Sequence, residues 1–161
     1  MKRRVFLAAS IATAALSISN LRAGESEGVI LEVTGNVEQT LRFTLPQLQA
    51  LGVTKLATST AWTEGTRQFE GVLARSVMAA AGPVKSDYVR AQALNDYEAD
   101  IPLTDFADYD VILAWRKDGQ MLSRRDKGPL WVVYPRDSLP HLREERFEHR
   151  WVWQLNRLFV P

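Results

Sequence analysis

The sequence contains no cysteine, which removes disulfides as a source of stability and thiolate as a metal ligand. Histidine is scarce, with only His141 and His149. No serine stands in a nucleophile-elbow context and no glycine-rich phosphate loop is present, so two common signatures of hydrolase and nucleotide sites are missing. There is no internal repeat, low-complexity tract or long linker. The uncharged run from Val5 to Ile18 is too short, and too rich in Ala and Ser, for a comfortable bilayer span. The chain is therefore not expected to be an integral membrane protein.

That run instead reads as the core of a targeting segment. Lys2, Arg3 and Arg4 form a positive start, and Ala23 closes a plausible cleavage site before Gly24, although Leu21 occupies a place where a small residue is preferred. Arg3-Arg4-Val5-Phe6-Leu7 has the shape of a twin-arginine signal, the kind that exports proteins already folded. An ordinary secretory signal is the simpler alternative. Residues 1–23 are accordingly expected to be a signal peptide, and residues 24–161 a single periplasmic domain. The segment holds four positive charges and no acid, so from +1 for the whole chain the remainder falls to −3. A mildly acidic domain has no electrostatic case for binding nucleic acid.

Aromatic residues are present in useful number. Five Trp, six Phe and four Tyr can build the core of one compact domain without covalent staples. Val29, Leu31 and Val33 alternate with polar residues before Gly35-Asn36, which predicts a strand and turn. A second strand is expected over Val37 to Phe43. A helix with Leu45, Leu48 and Leu51 on one face follows, started by Thr44 and Pro46 and stopped at Gly52. Further strands are expected over 53–60, 89–94, 98–101, 111–115 and 130–134. A second helix over 73–81 ends at Gly82-Pro83, and Asp118-Gly119 marks a hairpin turn. Many short strands with two or three short helices predict an α+β fold built on a mixed β-sheet with short peripheral helices. Asp105, Asp108 and Asp110 read as turn and cap residues. The charged stretch from His141 to His149 reads as a helical surface laced with ion pairs rather than a metal site. Trp151 and Trp153 would share one face of a strand and pack into the core.

The order of motifs through the middle and end of the chain is distinctive. Phe69-Glu70-Gly71-Val72, Leu94-Asn95-Asp96-Tyr97, Asp118-Gly119, Lys127-Gly128-Pro129-Leu130, Tyr134-Pro135 and Arg150-Trp151-Val152-Trp153 together resemble the sulfite-oxidase-type molybdopterin-binding domain. The resemblance covers nearly all of residues 28–161 and implies that family's fold, without the extra C-terminal dimerisation domain of larger relatives. It also implies an oxidoreductase lineage and molybdopterin as cofactor. Two departures bear on that implication. The family's metal-binding cysteine lies four residues before an aromatic, and counting back from Trp62 puts Thr58 in its place. A threonine hydroxyl stays protonated at neutral pH and cannot replace a thiolate. After Gly128-Pro129, where an arginine is common, Trp131 stands instead.

A pterin phosphate needs cationic and amide donors. Arg67, Asn95, Tyr97 and Lys127, with Thr58 and Trp131, are the candidate cofactor-binding residues; Arg116, Lys117, Arg124 and Arg125 are further cations on predicted loops. Taken singly, each reads more simply as a solvated charge or a turn former; Asn95-Asp96-Tyr97 as a unit is evenly balanced between the two readings. Three functions remain open: a molybdopterin-binding oxidoreductase domain degenerate at its metal site, a cofactor-free periplasmic sensor or binding module for a small anion or a membrane protein, and a structural partner in an exported complex.

Overall fold

The computed structural model describes residues 28–82 and 85–161. The expected signal peptide over 1–23 and Pro83 of the expected helix stop lie outside them. The apolar alternation of the first strand is realised in β1 (Val29–Gly35), which buries Leu31 and Val33. The second strand is shorter than its sequence suggests: β2 spans Leu41–Thr44. The cause is that the residues before it bond elsewhere, with the Glu38 and Gln39 N–H groups donating to the carbonyls of Gly82 and Ala81 at 2.8 and 3.0 Å. Helix α1 (Leu45–Ala50) starts at Thr44, whose N–H donates to Gln47 Oε1 at 2.8 Å.

Strand β3 (Thr54–Ser59) runs antiparallel to β4 (Thr66–Leu73). The sequence does not announce β4, because Gly71 weakens its strand propensity. Gly71 is there because β7 passes too close for a side chain: an added Cβ would lie 2.3 Å from the Leu113 carbonyl oxygen. Helix α2 (Ala74–Ala81) ends at Gly82 in the left-handed conformation, φ 64°. Strands β5 (Tyr88–Ala93) and β6 (Glu98–Pro102) form a hairpin around Asn95-Asp96. Helix α3 (Leu103–Asp108) then follows where only turn and cap residues were expected. Strand β7 (Ile112–Lys117) turns at Asp118-Gly119 into β8 (Gln120–Met121), and β9 (Trp131–Val133) pairs with β7. The 140–150 stretch forms two 3-10 turns, Pro140–Arg143 and Glu145–Arg150, instead of one α-helix. Trp151 and Trp153 precede the last strand, β10 (Leu155–Val160), and belong to no strand.

These strands form two five-stranded sheets. One has the order β2-β1-β10-β5-β6, with β1 and β10 parallel and the other pairs antiparallel. The other runs β3-β4-β7-β8, with β9 beside β7, and is wholly antiparallel. The fold is α+β, as expected, although the strands divide between two sheets. The sheets meet where Leu130 bridges Leu155 and where the Val132 N–H donates to the Val152 carbonyl at 2.8 Å. Trp115, Trp131, Tyr134, Phe69 and Phe106 are the largest buried side chains, so the aromatic residues do supply the core. Among the described residues no helix is long and apolar enough to cross a membrane.

Candidate functional site

Two neighbouring features arise where the end of β3 approaches the chain that follows β9. The first is a polar clasp. Thr58 is completely buried on β3, and its hydroxyl oxygen accepts the Asp137 N–H at 3.2 Å while donating to the Ser59 carbonyl at 3.3 Å. Next to it the Ser59 N–H and hydroxyl donate to the two carboxylate oxygens of Asp137, at 2.6 and 2.5 Å. Thr66 adds a longer bond to the same carboxylate, and Arg143 lies 3.6 Å from it. The Ser59 hydroxyl bond is the main reason the Asp137 carboxyl is held below its ordinary value, with the Ser59 N–H, Thr66 and Arg143 adding to the effect against a partial desolvation. The clasp thus ties together residues more than seventy positions apart in sequence.

The second feature is an aromatic cleft. Trp62, in the loop between β3 and β4, stands edge-on to Trp153 with centroids 5.3 Å apart and planes at 89°, and meets Trp151 at 5.9 Å. With Asn95, Tyr97, Glu148 and His149 these three rings line a cavity of about 260 Å³. Tyr97 is fixed across it: its hydroxyl donates to the His149 carbonyl at 2.9 Å, and its N–H donates to Asn95 Oδ1 at 3.2 Å. Trp131 is buried against Trp62, Phe69 and Trp151, and its indole N–H has no hydrogen-bond partner among the described residues. The Lys127 ammonium sits over two of the indoles, 4.4 Å from the Trp153 centroid and 5.3 Å from that of Trp131.

The candidate residues are thereby distributed. Asn95 and Tyr97 line the cleft, Trp131 and Lys127 pack against its tryptophans, and Thr58 belongs to the clasp. Arg67 stands opposite Thr58 in the β3–β4 register but reaches Asp118, 3.6 Å away. Arg116 pairs with Glu70 at 3.1 Å. Sequence reasoning passed over Ser59 and Asp137, whose Arg-Asp-Ser surroundings look like any turn. It assigned Trp151 and Trp153 to packing, whereas Trp153 is only partly covered and both line the cleft. A cluster of tryptophans near the C-terminus was the signal available. No group of three or more potential metal ligands exists among the described residues.

The family profile described as "Oxidoreductase molybdopterin binding domain" matches residues 22–138. The chain belongs to that family. Its fold is of the sulfite-oxidase type and is similar to the crystal structure of the sulfane dehydrogenase SoxCD from Paracoccus pantotrophus, with a TM-score of 0.63 at 21% identity. The similarity covers 81% of this chain but only 37% of that one, and at such identity it is a likeness of fold. No curated protein sequence matches.

Membership of the molybdopterin-binding family raises the question of fit. A protein-ligated molybdenum does not fit the donors present: the chain has no thiolate, and the buried hydroxyl of Thr58 is engaged on both its donor and acceptor sides. A neutral hydroxyl so occupied offers a metal nothing a cysteine would.

Proposed function

We propose that this chain is an exported, single-domain member of the molybdopterin-binding family that is degenerate at the metal site and works in the periplasm as a binding module, not as a molybdenum oxidoreductase. The observation that carries this reading is Thr58, buried where the family resemblance puts a cysteine, with its hydroxyl spent on the Asp137 backbone. An enzyme of this type without its thiolate loses the ligand that fixes the metal's geometry and potential. The Arg3-Arg4 segment supports export, and the −3 charge of residues 24–161 supports a small-molecule or protein partner over nucleic acid. An aromatic cleft that a small molecule can enter supports the binding role.

The test is to express the full chain, recover the exported protein, and measure molybdenum by mass spectrometry and released pterin by fluorescence. The expected result is a periplasmic product processed near Ala23 with metal and pterin far below one per chain. One molybdenum per chain would overturn the reading of the metal site, and retention in the cytoplasm would overturn that of export.

A further inference from the structure

We propose that the aromatic cleft binds a small organic cation bearing a trimethylammonium group, a free solute rather than a lipid headgroup. This rests on the reading above that no pterin occupies the domain. Three indoles and a phenol line the cavity, and the one formally charged acid among its walls, Glu148, makes none of the ion pairs found among the described residues. Indole faces carry the negative end of the ring quadrupole and are the strongest aromatic partners of a cation. The molecule already shows this preference beside the cleft, where the Lys127 ammonium rests 4.4 Å from the Trp153 centroid. Lys127 does not line the cavity, which leaves Glu148 and the Trp62 and Trp151 rings among its walls for a ligand.

Size and rigidity point the same way. A volume of about 260 Å³ lies just under the roughly 300–1,000 Å³ of common small-molecule sites, which suits a compact head group rather than a fused ring system with a phosphate tail. The walls are also set in advance. Tyr97 is held at both its hydroxyl and its N–H, and Trp62 is braced by Trp131, Trp151 and Trp153. A preformed aromatic box loses little side-chain freedom on binding.

The probe is choline, with 3,3-dimethylbutan-1-ol as its uncharged isostere, titrated into the exported protein and followed by calorimetry and tryptophan fluorescence. Choline is expected to bind about tenfold tighter than the alcohol, the effect of a partly desolvated cation on aromatic faces. Glu148→Gln should weaken choline about threefold, as expected for a partly exposed charge pair, and leave the alcohol unchanged. Trp62→Ala should weaken both; Trp62 is a partly exposed loop residue, and an unchanged far-ultraviolet circular dichroism spectrum with a cooperative urea transition would show that the fold persists. Equal affinity for the two probes, or no choline binding in protein free of pterin, overturns the cation site alone. Binding to phosphatidylcholine vesicles without binding to free choline overturns the choice of a free solute. Stoichiometric pterin in the same preparation overturns the underlying reading and the cation site with it.

Discussion

At the scale of single residues, the polar clasp makes two predictions. Thr58→Val keeps the shape of the side chain but removes the acceptor for the Asp137 N–H, which is then left part-buried without its partner. Leaving such a group unsatisfied costs about 1–3 kcal/mol, to be read from urea unfolding. The second concerns pH. Asp137 titrates below its ordinary value of 3.8 in the folded chain because the Ser59 hydroxyl, and then its N–H, favour the carboxylate. The unfolded chain therefore binds the proton first as pH falls, and the clasp's contribution is complete above that ordinary value. It is lost as pH drops through the depressed folded value. The difference in Tm between the native chain and Asp137→Asn should accordingly be largest above pH 5 and shrink toward pH 3. A difference that stays constant over this range would mean that the charge of Asp137 does not act through the clasp.

At the scale of elements, β4 and β7 decide how the second sheet packs. An added Cβ at Gly71 would meet the Leu113 carbonyl oxygen at 2.3 Å and the Ala114 Cα at 2.7 Å. Both are backbone atoms in the neighbouring strand, so neither can swing aside. Gly71→Ala should destabilise the protein by about 1–3 kcal/mol through overpacking, visible as a lower urea midpoint. The same glycine explains why β4 was hard to read. Strands such as β1 and β7 advertise themselves by alternation or by an unbroken apolar run, whereas β4 mixes charged residues with a glycine whose reason lies on another strand. Helix α3 was missed for a related cause: its Asp105 looks like a cap in sequence, but it is buried by a partner forty-five residues away. Family membership was legible because it rests on the order of local motifs. Of the aromatic cleft only Asn95 and Tyr97 were legible, since it brings Trp62 against Trp151 and Trp153 from irregular segments that have no period to read.

At the scale of the whole molecule, the two sheets are coupled by a buried charged group as well as by apolar contacts. Asp105, in the helix that follows β6 of the first sheet, accepts the Tyr134 hydroxyl at 2.7 Å just beyond β9 of the second. The Arg150 guanidinium donates to the same carboxylate oxygen at 2.7 Å and lies over the Phe147 ring. Burial, with the Asp105 carboxylate beside it, pushes the Tyr134 hydroxyl well above its usual range, so it remains a donor at any physiological pH. Removing the negative charge from this triad strands a largely covered guanidinium, with an Arg150 side chain only 18% exposed. Asp105→Asn should therefore cost about 2–4 kcal/mol, somewhat less than for a pair wholly out of water. The decisive measurement is the cycle with Arg150→Met. If the charges act on each other, the double variant should be more stable than the sum of the single changes predicts, by about 1–3 kcal/mol, because no uncompensated charge remains. Strict additivity in urea unfolding would mean that the Asp105–Arg150 ion pair adds nothing to the coupling between the sheets, leaving it to the Tyr134–Asp105 hydrogen bond and aromatic packing.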